Sequence, residues 1–527
     1  MEAVDDEIVT FHVDRTPAEV AHNSAIKDNM RSTGCIFEVV SCLCETVRQH
    51  GASDPPTLAN LALETFQRYI GWVDASCVLS EPVLTLLYEC LHRQQLAEAA
   101  LGCILEVVNK GMPDDEKVRL LAHVRINQLI EAVQHNCDDV SEAAAEIVNA
   151  AGLHLLTVYD ACESQMLSNG GGGVEGSSES SAAAAAALLH ELPLLRFLSH
   201  HEPDVSGSVL PFVLRMLDTV KRQADQESIT SSRMRQGGGM LTSPEGASVR
   251  PFIAAETLPS ILQAMLLQLQ YSEGFDFDQD DDDEANEELH RRSIRRLFVK
   301  LVKICPHQAL DFVCSVVGSA LQASPLSQLP PARAEAILRL AYHFGEGFSA
   351  KNQSLVTEGA FPALLKALHQ SDVVSHPHWA VKVLYFELAD RYWKHIREDS
   401  ALVGSVLQRL CSELGILSPQ PTLRARCCFL LKSIAKHLGP DVTAPFAPSV
   451  LLGVRSLLFG GLLDASPGDM SQLFELAALL SASLDPPAQV AHVEALIDPL
   501  VARMQHALQH FQVTPAGLIS TYLFEFS

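Results

Sequence analysis

"EPVLTLLYECLHRQQLAEAALGCILEVVNKGM" runs from Glu81 to Met112. Val83, Leu86, Leu87, Cys90 and Leu91 recur at helical spacing, and Leu96, Cys103, Ile104, Val107 and Val108 repeat the pattern after a short break. Recurrence at i, i+3, i+4 and i+7 marks an amphipathic helix, so two stripes in succession predict a helical pair. Upstream, Ile36, Val39, Val40, Leu43, Cys44 and Val47 form one stripe. Leu58, Leu61, Ala62, Thr65, Phe66 and Tyr69 form the next. Pairs begin near Gly34, Glu81 and Asp114, with Gly71, Pro82 and Gly111 between periodic segments. Spacings of about 35 to 47 residues are those of helical-repeat arrays. No convincing strand alternation interrupts them. A lone pair cannot bury its apolar stripe and must stack on its neighbours. The expected fold class is therefore all-α, an α-α superhelix of HEAT-like repeats.

Two stretches break the array. Residues 168–184 are rich in Gly and Ser and predict a flexible insert between repeats at 1–167 and 185–220, with the alanine run to Ala187 leading into the next helix. Residues 221–250 are polar, contain GGG and SPEG, and predict a loop. Repeats resume over 251–527, with an acidic segment at 273–288.

The formal charge is −26 over 527 residues, which disfavours a protein that permanently coats nucleic acid, since phosphates are held mainly by Lys and Arg. Basic patches on one surface remain compatible with that total. The N-terminal MEAVDDEIV has neither the basic nor the apolar region of a secretory signal. The apolar stretch VLLGVRSLLFGGLL is interrupted by Arg455 and is short for a membrane span, which takes about 20 apolar residues. The 13 cysteines contain no C-x-x-C, and Cys90, Cys103 and Cys314 fall on apolar faces, which predicts buried, reduced thiols in an intracellular protein.

The phosphate-cradling G-x-x-x-x-G-K-[ST] motif is absent, as are G-x-S-x-G and H-E-x-x-H. His376 and His378 stand without the third and fourth ligands that a zinc site needs, so they predict structural or surface roles. Cys427 and Cys428 lie on a strongly apolar helix and predict core packing rather than reactivity. No catalytic residue, metal site or cofactor is expected, and the chain does not read as an enzyme.

The stretch YSEGFDFDQDDDDEANEELHRRSIRRLFVKLVKI spans Tyr271 to Ile304 and holds ten acidic residues from Glu273 to Glu288, then six basic ones from Arg291 to Lys303. Asp276, Asp278, Asp280 and Glu287 half-match a calcium loop, but Asp281 stands where the sharp turn needs glycine. Leu258, Ile261, Leu262, Met265, Leu266 and Leu269 precede the run as one helical stripe. Ile294, Leu297, Phe298, Leu301, Val302 and Cys305 follow it as another. Glu284, Glu287 and Glu288 suit a helix N-terminus, and Glu287–Arg291 and Glu288–Arg292 are well-oriented i, i+4 pairs. The arginines then predict a polar, solvated helix face.

Four stretches together resemble the exportin-T family of the importin-β, or karyopherin, superfamily. They are HNSAIKDNMR (His22–Arg31) after the acidic DDEIV, and GWVDASCVLSEPVLTLLYECL followed by EVVNKGM (Gly71–Met112). The third is Tyr271–Ile304 with its tyrosine, phenylalanines and charged helix. The fourth comprises HPHWAVKVLYFELADRYWKHI, Arg424-Ala-Arg426 with its helix, and SPGDMSQLFELAALL. Their order and spacing match over most of the chain.

The resemblance implies a nuclear export receptor that binds mature transfer RNA together with GTP-bound Ran, passes the nucleoporins of the pore, and shuttles between nucleus and cytoplasm without membrane insertion. Family members are about twice as long, which implies that the first repeats, where Ran is gripped most strongly, and the C-terminal arch lie outside this chain. The insert at 168–187 and the loop at 221–250 are not expected of the family. Candidate contacts to RNA or Ran are Arg291, Arg292, Arg295, Arg296, Lys300 and Lys303, with Arg424, Arg426 and Lys436 as a second patch. The acidic Asp280, Asp281, Asp282, Asp283 and Glu284 would meet a basic surface of Ran or hold the cargo site closed. A karyopherin for protein cargo and a HEAT-type scaffold remain as alternatives.

Overall fold

The structure, a computed structural model, describes residues 16–71, 73, 75–133, 138–168, 176–236, 257–272, 274–277, 282–348, 354–459 and 466–513. Among these the regular elements are helices, without a strand. The chain divides into two compact units, residues 1–268 with 287–297 and residues 269–286 with 298–527.

The first unit contains α1 (Pro17–Ser32), α2 (Cys35–His50), α3 (Thr57–Ile70), α4 (Glu81–Leu91), α5 (Gln94–Asn109), α6 (Asp114–Val124), α7 (Asp138–Ser168), α8 (Gly176–Glu191), α9 (Leu210–Gln236) and α10 (Thr257–Gln268). Helices α3, α5, α7 and α9 pack side by side in one row, with α2 and α4 in a second row against α3 and α5. Each row follows from a stripe. Ile36, Val40, Leu43, Cys44 and Val47 of α2 are buried as their spacing predicts. On α3 the stripe is rotated: Ala59, Ala62, Leu63, Phe66, Tyr69 and Ile70 are buried, whereas Leu58 and Leu61 face solvent. Alanines on the inward side permit close helix approach, and the leucines are left outside.

Lysines close the C-termini of this first row. Lys110 donates through Nζ to the Ile70 carbonyl at 2.7 Å and to that of Val73, at the end of α3. Lys117 donates to the Val108 carbonyl at 2.6 Å and to that of Lys110, at the end of α5. Unpaired carbonyls and the dipole of a helix C-terminus both favour a cation. Burial of Lys117, and secondarily the Lys110 charge, push its pKa down to about 8. Between α7 and α9, Asp160 accepts from Arg215 at 2.5 Å, from Thr219 at 3.0 Å and from Arg222 at 2.5 Å. Gly152 of α7 lies under the Phe212 ring, where a Cβ would come within 2.5 Å of it.

Two expectations for the interruptions are corrected. Helix α8 begins at Gly176, inside the segment read as flexible insert, and residues 169–175 lie outside the described residues. Helix α9 continues to Gln236, through the first half of the segment read as loop, and residues 237–250 lie outside the described residues. Leu210, Phe212, Val213, Met216 and Leu217 anchor α9 in the core, and a polar sequence extends such a helix readily once it is nucleated.

Helix α11 (Asp282–Ile304) contributes residues 287–297 to the first unit and the remainder to the second. The second unit continues with α12 (Pro306–Ala323), α13 (Pro331–Phe344), α14 (Ala360–Gln370), α15 (Trp379–Arg391), α16 (Ser400–Leu410), α17 (Pro421–Leu438), α18 (Ala447–Phe459), α19 (Pro467–Ser481) and α20 (Pro486–Val513). Two rows form again. Helices α13, α15, α17 and α19 stack in order, and α12, α14, α16 and α18 stack in order beside them. Successive helices in a row begin about 45 residues apart, the period of a two-helix repeat. Proline opens α12, α13, α17 and α19, where its missing N–H costs nothing. Ser466 and Asp469 cap α19 reciprocally, and Asp399 caps α16 by accepting from the Ala401 and Leu402 amides. Phe344, Phe361 and Phe386 are fully buried between the rows. Burying each such side chain stabilises by roughly 1.5–3 kcal/mol.

The stretch Pro440–Phe459 is long and apolar enough to cross a membrane by length and composition. Its α18 part is amphipathic: Val450, Leu451, Val454, Leu457 and Leu458 are buried, while Arg455 and Ser456 face solvent. The helix packs on α16 and α19.

Candidate functional site

The charged stretch resolves into an aromatic strap and a helix. Tyr271, Phe275 and Phe277 pack on one another, with ring centroids 4.1 to 4.8 Å apart. Phe277 continues onto His378 at 4.5 Å and Trp379 at 6.3 Å. The third and fourth stretches read from the sequence therefore meet in the second unit. His376 is buried and fixed by two bonds: Nε2 donates to the Leu329 carbonyl at 3.0 Å, and Nδ1 accepts from the His378 amide at 3.0 Å. His378 in turn caps α15, its Nδ1 accepting from the Ala380 amide at 3.2 Å. Both histidines hold the backbone. Among the described residues no group of three or more His, Cys, Asp or Glu could hold a metal.

The basic candidates separate by burial. Arg291 is only 6% exposed, on the same side of α11 as Ile294, so it is no surface contact. Arg292, Arg295 and Arg296 are exposed in the first unit. Lys300 is half-buried and Lys303 exposed, both in the second unit. Arg424 is buried at 7% exposure and donates to the Ser418 carbonyl at 3.0 Å, closing the turn that leads into α17. Its reading as a surface contact is corrected accordingly. Lys436 is exposed. Arg426 is partly exposed but already held, donating to one Glu387 oxygen from Nε at 2.9 Å and from its terminal nitrogen at 2.6 Å. Asp280 and Asp281 lie outside the described residues, and Asp282, Asp283 and Glu284 form the first turn of α11.

Spacing alone did not single out the aromatics beside these cations. On the exposed side of the row α13, α15, α17 and α19, the Arg391 guanidinium lies 4.3 Å from the Tyr342 ring centre, and that of Arg426 lies 5.2 Å from Phe429. Trp393 stacks on His437 at 5.6 Å and 14°, with the Lys394 ammonium 5.9 Å from the indole. Several of these cations have acidic neighbours. Arg391 pairs with Glu346 at 3.2 Å, Lys432 with Glu475 at 2.6 Å, and His437 with Asp390 at 3.1 Å. Glu387 also meets Arg339 at 3.6 Å, and Arg339 pairs with the buried Glu335 at 2.8 Å. Burial opposes the Arg339 charge, but Glu335 and Glu387 outweigh it and hold its pKa above the ordinary value. This surface offers flat aromatic faces and cations whose charge is locally balanced. A polyanion would bind it by competing with carboxylates, and each pair exchanged would count toward the salt dependence. The sequence signal was the RYWKHI segment, in which aromatic and basic residues alternate.

The thiols provide no nucleophile here. Burial pushes Cys427 and Cys428 up, the latter to about 12.

Comparison with known proteins places this geometry. The family model described as Exportin-T matches residues 247–515, and that of the Exportin 1-like proteins matches residues 1–104. Exportin-T of Homo sapiens is 23% identical over 526 residues, covering 96% of this chain and 50% of the human protein. Exportin-T of Arabidopsis thaliana is 24% identical over 536 residues, covering 97% and 50%. The chain spans about half the length of the curated relatives it matches. These relatives are exportins rather than enzymes. Importin 13 in its cytosolic state is similar in fold, with a TM-score of 0.69 at 12% identity over 97% of this chain and 56% of that one. The fold is accordingly that of the HEAT-like helical-repeat solenoids. With the Exportin-T model matching more than half of its residues, the chain belongs to the exportin-T family.

Proposed function

We propose that this protein is a nuclear export receptor that binds transfer RNA together with the GTP-bound form of Ran and shuttles between nucleus and cytoplasm past the nucleoporins. The family match over residues 247–515 carries the reading. The cation and aromatic surface of α13, α15 and α17 supports it, since duplex RNA is recognised largely through shape and backbone contacts. The local charge balance supports a switch. Carboxylates that already occupy the cations keep affinity for RNA low, and a second ligand stabilising the same arrangement raises it, with reciprocal gain for both. In this reading Arg292, Arg295, Arg296, Lys303, Arg426 and Lys436 are the cations offered to phosphate, and the first turn of α11 offers its acids to Ran.

The test is a mobility shift of transfer RNA by the 527-residue chain, with and without GTP-loaded Ran, at two salt concentrations. Ran-dependent, salt-sensitive retardation is expected. Retardation by neither component would leave a protein scaffold as the better account, and Ran binding without RNA would favour a carrier of protein cargo.

A further inference from the structure

A cavity of about 690 Å³ opens in the first unit, between the end of α1, the segment after α3 and one face of α6. Its volume is that of a ligand pocket. Val73 and Leu120, both buried, line it with the half-buried Leu79 and Met112. Gly71 and Gly111 also line it, and a Cβ on either would meet no atom beyond its chain neighbours within 4 Å. The space beside both glycines is therefore open. Arg31 reaches the cavity from α1 and Arg119 from α6. Lys110 lines it as well, while donating to the carbonyls at the end of α3.

The charge at this cavity runs against that of the chain. Arg31, Lys110 and Arg119 line it, against the carboxylate of Glu116 among its described lining residues, in a protein of net charge −26. Arg31 pairs with Asp28 at 3.2 Å and Arg119 with Asp115 at 2.7 Å, each within one helix and with side chains 39% to 72% exposed. Exposed pairs of this kind contribute little, so an incoming carboxylate can take either arginine at small cost. A guanidinium also meets a carboxylate with two parallel hydrogen bonds. A continuous phosphate backbone fits less well. It would meet the acidic first turn of α6, formed by Asp114, Asp115 and Glu116, and would leave Val73, Leu79, Met112 and Leu120 without an apolar partner. A peptide carries its carboxylates singly and can fill the apolar lining between them. We propose that the cavity is a docking site for an acidic peptide segment of a partner protein, its carboxylates on Arg31 and Arg119 and an apolar side chain against Leu79 and Met112. The proposal does not rest on the transport reading.

The probes are an acetylated and amidated tetrapeptide of alternating glutamate and leucine, the same tetrapeptide with glutamine in place of glutamate, and a single-stranded hexauridylate. Binding to the full chain is followed by calorimetry. The acidic tetrapeptide is expected to bind about 10-fold more tightly than the glutamine form, the effect of charge-assisted hydrogen bonds replacing neutral ones. That advantage shrinks in Arg31→Gln and in Arg119→Gln and vanishes when both are changed. Gly111 is not among the glycines with positive φ, and its new side chain in Gly111→Leu enters open space. This variant excludes the tetrapeptide and leaves the melting temperature unchanged. The proposal is overturned by equal binding of the two tetrapeptides, by no binding of the acidic one, or by an advantage that survives loss of both arginines. Undiminished binding to Gly111→Leu, or binding of hexauridylate in place of the tetrapeptide, overturns it equally.

Discussion

Arg426 of α17 gives two hydrogen bonds to a single carboxylate oxygen of Glu387 on α15. The second Glu387 oxygen faces Arg339 of α13 at 3.6 Å. A basic residue that looks available in the sequence is thus engaged across a helix boundary, and its carboxylate partner sets how much of its charge reaches a ligand.

Glu387→Gln should therefore tighten transfer RNA binding. Arg426 then meets phosphate without first leaving a carboxylate, so affinity rises while the contact's share of the dependence of log affinity on log salt, about 0.7 to 0.9, stays the same. Titrations at a series of salt concentrations measure both, and unchanged affinity would remove Arg426 from the contact surface.

Arg424 and Arg296 should behave oppositely. Arg424→Ala leaves the Ser418 carbonyl without its donor, at a cost of about 1–3 kcal/mol, and lowers the melting temperature with the RNA salt slope unchanged. Arg296→Glu, at an exposed site, leaves melting nearly unchanged and weakens RNA binding. Thermal melts of both variants beside binding titrations separate the two roles.

Asp160→Ala should destabilise the first unit by about 1–3 kcal/mol, because it removes the acceptor shared by Arg215, Thr219 and Arg222, while the partial exposure of both arginines and the remaining Arg222–Glu163 pair screen the charge left behind. Urea unfolding read through a probe in the first unit measures it.

Acid should weaken the second unit through His369. Its folded pKa of about 4 lies below the ordinary 6.5, owing first to burial and then to Arg409. As pH falls from 6.5 toward 4 the unfolded chain takes up a proton that the folded chain refuses, so stability falls across that window. Lys366, Asp399, His395 and Glu398 line a cleft with it between α14 and α16 and belong to both sides of the comparison. His369→Phe removes this component, and its urea midpoint should drop less between pH 7 and pH 5 than that of the wild type.

Much of the helical-repeat fold was legible because burial writes itself into spacing. Ile294, Leu297, Phe298, Leu301 and Val302 are all fully buried, as their period required. Side-chain size misled on α3, where Leu58 and Leu61 are exposed and alanines face inward, because row packing there rewards close approach over volume. Polarity misled on α9, which carries through residues whose composition resembles a loop. Among the basic candidates, charge alone could not distinguish Arg292 from Arg291, or Arg426 from Arg424. The difference is one of helix phase: each residue turns a side chain by about 100°, so the one-residue step of the first pair and the two-residue step of the second both carry it between solvent and core. Partners from distant helices were invisible in the sequence, since Glu387 and Trp393 gain their meaning only from what stacking brings beside them.

The double engagement of Glu387 also has a mechanical meaning. One carboxylate ties three successive helices of a row, so a bend that opens this face between α13 and α17 must lengthen one of its contacts or both. Such ties make neighbouring repeats stiff in small displacements and let them yield abruptly once a bond is lost. A ligand that takes Arg426 away from Glu387 would do more than add a contact: it would soften the spring at that joint.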